Sequence, residues 1–199
     1  MSNKELADLI FPNIDKTIED YDKMYPERNL KEGALVTRFA PSPTGFVHIG
    51  NLFQALTDYF LAKNSGGVFY LRNEDTDTKR EVTDAVDKIM ECLDYIGLNP
   101  DEYEYKGEIH GNYGPYVQSE RKEIYHAFIK HLIEIGRAYP CFCSAEELDI
   151  MRKKQEAKKA QPGYYGAWAK CRDLTNEERA ERIKNGESYV IRFRSEGNP

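Results

Sequence analysis

The segment from residue 34 to residue 60 restricts the fold more than any other part of the sequence. It opens with a compact apolar stretch, residues 34–39, which predicts a strand that ends before Pro41 and Pro43 because proline cannot donate to a sheet ladder. A loop rich in proline and glycine follows to Gly50, and apolar residues then recur at helical spacing. A strand, a loop and a helix in this order predict a nucleotide-binding geometry, because the helix N-terminus offers free N–H groups and a positive dipole end.

The pattern that follows continues the alternation of strands and helices. Gly66-Gly67 ends the helix, and residues 68–71 are a second strand candidate. Apolar stripes at helical spacing occupy residues 82–96 and 120–135, whereas residues 98–118 have the composition of a loop. The order β-α-β-α-α predicts a parallel α/β sheet with crossover helices.

Shifts in composition divide the chain into three predicted parts. Residues 1–32 are polar and predict an N-terminal extension with one or two short helices. Residues 33–137 hold the α/β pattern. Residues 138–199 contain two capping boxes, opened by Ser144 and Thr175, and a last strand candidate. Because the chain stops soon after that strand, we expect it to be part of a longer protein.

Charge and hydropathy exclude several classes of protein. The net charge of -6 and the pI of about 5.4 argue against a dedicated nucleic-acid-binding module, though not against an enzyme with a local basic patch. There is no apolar run long enough to span a membrane and no signal-peptide pattern at the N-terminus. These features predict a cytoplasmic protein with no membrane partner.

Three residues at the predicted loop and helix have the chemistry of a ligand site. Arg38 lies at the carboxyl end of the first strand, where sites form in α/β sheets. His48 and Asn51 lie three residues apart at the start of the helix, so both can donate to a phosphate oxygen, and Gly50 lets the backbone approach. Taken alone, the same pattern also fits an ordinary connection with a solvated histidine and a surface arginine.

Longer motifs decide between these interpretations. Pro41–Asn51 resembles the first signature of the class I aminoacyl-tRNA synthetases, and the lead-in from Arg38 resembles their glutamate branch. The resemblance runs from about Val36 to the end of the chain. Its further motifs, in the order of that family, are Leu71–Asp77, Gly114–Arg121, Ala138–Cys143 and Cys171–Leu174. At Asn51 the signature usually has a second histidine, and asparagine keeps a hydrogen-bond donor but cannot become cationic.

The resemblance implies an activity and a fold. Members of the glutamate branch activate L-glutamate with ATP and Mg²⁺ to glutamyl-adenylate, and then transfer the glutamyl group to tRNA(Glu). Residues 33–137 would form the first half of a Rossmann-like catalytic domain, and residues 138–199 would begin an inserted α+β region that binds the acceptor end. The second nucleotide signature of the family is absent from the sequence. We therefore expect these residues alone to be inactive, and we expect the protein to be a monomer.

The resemblance also implies roles for single residues. Arg38 would bind the side-chain carboxylate of glutamate, Glu74 would hold its α-ammonium group, and Asp75 and Asp77 would order the loop or contact the acceptor end. The other residues of the substrate pocket would be Phe39, Ala40, Pro41 and Ser42. The ATP site would comprise Thr44, Gly45, His48, Gly50 and Asn51, with His48 and Asn51 as the catalytic pair. An acidic cap on a helix N-terminus is the alternative role for Glu74 and Asp75.

Four residues resemble the zinc site of some relatives. They are Cys141, Cys143, Cys171 and Asp173, with Asp173 in the place of a histidine. Three thiolates suit a structural Zn²⁺ site, and Tyr165 is another candidate for the fourth ligand. The alternative is a set of reduced thiols that pack among aromatic side chains.

The remaining basic residues cluster in the helix predicted after Ser144. They are Arg152, Lys153, Lys154, Lys158 and Lys159. A solvated face is the usual meaning of such alternating charge, whereas the resemblance implies a contact with the acceptor stem of tRNA.

Two other functions fit parts of the sequence. A shorter member of the family glutamylates a queuosine base in a tRNA. The N-terminal extension and residues 174–194 favour instead the enzyme that transfers glutamate to the end of tRNA(Glu). The other is a catalytically inactive fragment with a ligand-binding or regulatory role, and the presence of Arg38, His48 and Glu74 argues against it.

Overall fold

A computed structural model describes residues 1–43, 47–77 and 84–195. The chain divides into two compact units. One combines Met1–Asp20 with Ile124–Pro199, and the other is Tyr21–Glu123. The predicted boundaries after residues 32 and 137 were drawn from composition and stay a prediction. Within the described ranges, no helix has the length and apolar character needed to cross a membrane.

Helices and strands alternate along most of the chain. The helices are α1 Asn3–Ile10, α2 Ile18–Met24, α3 Ile49–Ser65, α4 Ala85–Tyr95, α5 Lys122–Glu134, α6 Ala145–Ala157 and α7 Asn176–Lys184. The strands are β1 Val36–Phe39, β2 Val68–Leu71, β3 Tyr103–Tyr105, β4 Glu108–His110, β5 Ala138–Cys141 and β6 Val190–Phe193. Single 3₁₀ turns lie at Ser119–Arg121 and Gly166–Trp168.

The unit Tyr21–Glu123 is built on a parallel pair of strands, as the sequence predicted. β1 and β2 pair in register from Val36↔Val68 to Phe39↔Leu71, with α3 as the crossover. Parallel bridges at Tyr70↔Glu102 and Asn73↔Val117 add neighbours beyond the strand pair. Apolar residues of β1 and β2 form one core with α3 and α4. Its fully buried members are Phe39, Ala55, Ala62, Phe69, Leu71, Ile89, Leu93 and Leu98.

The end of α3 is fixed by the glycine pair that the sequence identified. Gly66 takes the left-handed conformation with φ of 69°, which glycine adopts without strain. A Cβ atom on Gly67 would lie 1.9 Å from the carbonyl oxygen of Leu35. Glycine at this position therefore lets the turn pass directly over the start of β1 and brings β2 beside it.

A hairpin that the sequence did not predict lies between α4 and α5. Residues 98–118 were predicted as loop, but β3 and β4 pair antiparallel within them. Their turn has Lys106 and Gly107 at φ of 52° and 79°, and two positive φ angles are what a tight hairpin turn requires. Strands of three residues with several charged side chains carry too short an alternation to be recognised.

The other unit packs the first helix of the chain against its last elements. Leu6 and Ala7 of α1 form a core cluster with Ile133 of α5 and Ala138 of β5. β5 and β6 pair antiparallel, with Ala138 opposite Phe193. Both predicted capping boxes are confirmed. The hydroxyls of Ser144 and Thr175 each accept from the backbone N–H three residues later, and their own backbone N–H groups donate to the carboxylate of that later residue.

Candidate active site and thiol cluster

Two of the predicted substrate residues meet at the carboxyl ends of β1 and β2. Arg38 Nη1 donates to Glu74 Oε1 at 2.8 Å. The same oxygen accepts from Arg72 Nε at 3.0 Å and from Arg72 Nη2 at 2.8 Å. Glu74 is therefore held between two guanidinium groups, and the site carries two positive charges against one negative charge. Arg72 was not identified as a site residue from the sequence.

Backbone hydrogen bonds align the two segments that carry these side chains. The N–H of Arg72 donates to the carbonyl of Phe39 at 3.0 Å, and the N–H of Glu74 donates to the carbonyl of Pro41 at 2.9 Å. The parallel pairing thus continues beyond both strands. The predicted pocket residues Ala40 and Ser42 lie on this continuation, half-buried and exposed, respectively. The Phe39 side chain points instead into the core beneath α3.

His48 and Asn51 form the N-terminal cap of α3. The N–H of Gly50 donates to His48 Nδ1 at 3.1 Å, and the N–H of His48 donates to Asn51 Oδ1 at 3.2 Å. Because Nδ1 accepts a hydrogen bond, the neutral ring carries its proton on Nε2, which is left to donate outward. The predicted ATP residues Thr44 and Gly45 lie outside the described residues.

A link between β1 and α3 went unrecognised in the sequence. Thr37 Oγ1 donates to the backbone carbonyl of Asp58 at 2.7 Å, and so fixes the helix against the strand that carries Arg38. Burial raises the pKa of the Asp58 carboxyl group, and the nearby Arg38 charge opposes this rise. Hydroxyl residues on strands give no periodic signal, so only the structure reveals this contact.

Asp75 orders the loop, one of the two roles expected for it. Its carboxylate accepts from the backbone N–H of Ser119 at 2.9 Å and from the Ser119 hydroxyl at 2.5 Å. This contact joins the motif after β2 to the motif that begins at Gly114.

Three of the four predicted metal ligands come together in the unit that contains β5 and β6. The sulfur atoms of Cys141, Cys143 and Cys171 all lie within 4.8 Å of one another, and Cys143 Sγ is 3.7 Å from Cys171 Sγ. Cys141 and Cys171 are buried. Arg179 supports this arrangement, because its Nη2 donates to the carbonyls of Cys171 and Arg172.

The Tyr164 hydroxyl contacts these thiols. It lies 3.2 Å from Cys141 Sγ and 3.3 Å from Cys143 Sγ, and it accepts from the N–H of Cys171 at 3.0 Å. The two oxygen ligands considered from the sequence lie elsewhere. Asp173 is 69% exposed and pairs with Arg172 and Arg194, and the Tyr165 hydroxyl donates to the carbonyl of Gln161.

The surroundings shift the pKa values of Cys141 and Cys143 in opposite directions. Burial opposes ionisation of Cys141, but hydrogen bonds from Tyr164, the Cys143 backbone and Arg192 outweigh it and lower its pKa. Burial raises the pKa of Cys143 to about 11. Of these two thiols, Cys141 is therefore the one whose ionised form its surroundings favour, and a metal ligand must be ionised.

The basic helix α6 has the solvated face that its charge pattern predicts. Lys153 pairs with Asp149 one turn earlier at 2.7 Å, and both side chains are largely exposed. Lys158 lies over the Trp168 ring at 5.4 Å.

Comparison with known proteins identifies the family. Residues 34–198 match the family described as tRNA synthetases class I (E and Q), catalytic domain. The chain belongs to this family. The resemblance drawn from the sequence is thereby confirmed, as is the class I catalytic fold.

Relatives within this family cover the whole chain. Over 200 aligned residues it is 54% identical to a glutamate–tRNA ligase of Acetivibrio thermocellus and 55% identical to one of Clostridium perfringens (strain 13 / Type A). The chain spans 37% of the length of either relative. The crystal structure of a glutamate-tRNA synthetase from Elizabethkingia anophelis superposes with a TM-score of 0.69 at 41% identity, covering 80% of this chain and 32% of that one.

Proposed function

We propose that this chain provides the amino-acid and nucleotide sites of a glutamate–tRNA ligase. The reaction would join L-glutamate to ATP as glutamyl-adenylate and then transfer the glutamyl group to tRNA(Glu). The observation that carries the proposal is the meeting of Arg38 and Glu74 at the ends of two parallel strands. The relatives named as glutamate–tRNA ligases, which match the whole chain, support the same reaction.

The charges of the site suit glutamate. Glutamate carries a net charge of -1, and Arg38, Arg72 and Glu74 together carry a net charge of +1. A guanidinium group binds a carboxylate through two parallel hydrogen bonds, which gives Arg38 its role toward the substrate side chain. Glu74 would hold the α-ammonium group.

The start of α3 suits the phosphates of ATP. Its positive dipole end favours an anion, and His48 Nε2 adds a donor at the same end. Mg²⁺ would accompany the phosphates and neutralise the pyrophosphate that leaves. These groups place and stabilise charge, which is the main contribution a protein makes to such a transfer.

The direct test uses the full-length protein that carries these residues. Exchange of pyrophosphate into ATP that depends on glutamate, measured with tRNA(Glu) present, would support the reaction. Glutamate found as an ester on the terminal ribose would identify the ligase, whereas glutamate on a queuosine base would identify the base-modifying paralogue. No glutamate-dependent exchange and no labelled tRNA would refute the proposal.

Gly50→Ala should separate nucleotide binding from stability. A Cβ atom on Gly50 would lie 3.0 Å from His48 Cε1, so the imidazole must move. We expect the KM for ATP to rise several-fold, while stability is kept or gains up to about 1 kcal/mol because alanine favours a helix over glycine. Gln54→Ala, on the exposed side of the same helix, is the control for helix propensity. An unchanged KM for ATP in Gly50→Ala would contradict the role of His48.

We also propose that the thiol cluster binds Zn²⁺. Tetrahedral Zn²⁺ with bonds of about 2.3 Å to sulfur places two sulfurs about 3.8 Å apart. The Cys143–Cys171 separation of 3.7 Å fits that value. Cys141 would be the third ligand, and the Tyr164 hydroxyl is the oxygen best placed for the fourth position. Such an ion would hold the loops before α6 and α7 together.

The basic helix α6 is proposed to contact the acceptor stem of tRNA. Reversing the charges of Lys153 and Lys154 to glutamate should weaken tRNA(Glu) binding about tenfold and make its dependence on salt less steep, because fewer phosphates are neutralised. Reversal of Lys23 and Lys31, exposed in the other unit, is the matched control. Equal tRNA affinity and salt dependence in both double variants would refute the contact.

Three further predictions join this proposal. Residues 138–199 would begin the inserted acceptor-binding region of the family. The protein would act in the cytoplasm and as a monomer. Sedimentation of the full-length protein with and without tRNA(Glu) would test the last of these.

A further inference from the structure

Glu74 is held unequally by its two arginines. Arg72 contacts it through two nitrogens, Nε and Nη2, whereas Arg38 contacts it through Nη1 alone. The Arg72 side chain is 16% exposed and the Arg38 side chain is 39% exposed. The backbone N–H of Arg72 is also bonded to Phe39. Arg72 is therefore the fixed partner of Glu74, and Arg38 is the one that can leave.

The proposed substrate requires Arg38 to leave. The side-chain carboxylate and the α-ammonium group of glutamate lie about 5 Å apart in an extended chain, since four bonds of ordinary length separate them. Arg38 and Glu74 lie in direct contact at 2.8 Å, so they cannot bind these two ends until they separate. A substrate that spans both residues would therefore replace this contact.

Separation of that pair would be costly if it left Glu74 unpaired. A partly buried carboxylate that loses its only cation is strongly destabilised. Arg72 prevents this, because its two hydrogen bonds to Oε1 remain when Arg38 moves. It also lines a cavity of about 290 Å³ with Tyr70, Tyr116 and Arg121.

We propose that Arg72 is a positioning residue that keeps the Glu74 carboxylate in place while Arg38 exchanges Glu74 for the side-chain carboxylate of the substrate. This inference rests on the proposed function of the site and deepens it. Arg72 acts through Glu74, so its contribution lies in the recognition of the α-ammonium group. Glutarate, which has both carboxylates of glutamate and no ammonium group, is the probe for that recognition.

The experiment compares Arg72→Met and Arg72→Lys in the full-length protein. We expect Arg72→Met to raise the KM for glutamate about ten- to a hundredfold, the effect of losing charge-assisted hydrogen bonds, with little change in kcat or in the KM for ATP. The ratio of the glutarate inhibition constant to the glutamate KM should fall towards one. Arg72→Lys keeps the positive charge but loses the planar guanidinium group. It should therefore bring both the KM for glutamate and the glutarate-to-glutamate ratio part of the way back to the wild-type values.

Arg28→Lys is the matched control for a merely structural effect. Arg28 lines the same cavity, is similarly buried, and donates through both Nη atoms to Glu102 rather than to Glu74. Arg28→Lys should leave the ratio of the glutarate inhibition constant to the glutamate KM unchanged. If Arg72→Met does not fold, the ratio in Arg72→Lys decides the question.

The outcomes separate the inference from the function. An active wild type whose Arg72 variants keep the wild-type ratio would overturn the role of Arg72 and leave the proposed function intact. A wild type with no glutamate-dependent exchange would overturn both.

Discussion

Replacing Arg38 with methionine is expected to lower the kcat/KM for glutamate activation about a hundred- to a thousandfold, because two charge-assisted hydrogen bonds to the substrate carboxylate are lost. The loss should fall mainly on the KM for glutamate. Methionine fills similar volume, and Arg38 lies at an exposed strand end, so the fold should persist. The measurement is pyrophosphate exchange with tRNA(Glu) present, as a function of glutamate concentration.

Two further variants make this result specific. Arg38→Lys keeps the positive charge and loses the planar fork, so its kcat/KM should lie between those of the wild type and Arg38→Met. Lys106→Met removes a cation from the exposed hairpin turn and should leave the kcat/KM for glutamate activation unchanged. If Arg38→Met and Lys106→Met have the same glutamate KM, Arg38 does not bind the substrate.

The local parts of this site could be predicted from the sequence. The strand that ends before Pro41, the helix that begins after His48 and both predicted capping boxes depend on neighbours within a few residues. Propensity and spacing record such short-range preferences directly. The parallel pairing of β1 and β2 followed from the helix between them, because a crossover of that length joins parallel strands.

Partners distant in sequence were harder to predict. Arg72 was visible only as part of a motif, and its contact with Glu74 depends on the direction of two side chains after β2. The choice of Tyr164 over Tyr165 beside the thiols is a similar case. The two residues are adjacent in an irregular loop, where no periodicity fixes which side chain points inward.

The first 20 residues show the same limit on a larger scale. Their helices were predicted from composition and α1 is present, but nothing in its sequence indicates what Leu6 and Ala7 pack against. Their partners lie about 130 residues later, in α5 and β5. Such contacts arise from tertiary packing, which a pattern within one helix does not record.

Replacing Cys143 with serine is expected to remove bound zinc and to lower the thermal unfolding temperature by about 10 °C, since the loss of several kcal/mol of metal binding is shared over the whole unfolding transition. Cys143 Sγ contacts both Cys171 Sγ and the Tyr164 hydroxyl, so its loss opens the cluster. Elemental analysis of protein purified without chelator would measure the metal, and calorimetry would measure the unfolding.

The cysteine outside the cluster provides the control. Cys92 lies on α4 in the other unit, and Cys92→Ser should keep both the zinc content and the sensitivity of the unfolding temperature to chelator. Tyr164→Phe should keep three thiol ligands and lose metal only at lower free zinc, which would distinguish a ligand oxygen from a packed ring. Wild-type protein without zinc would instead show that the three thiols serve as packing around Tyr164, because a structural site of this kind needs its metal to fold.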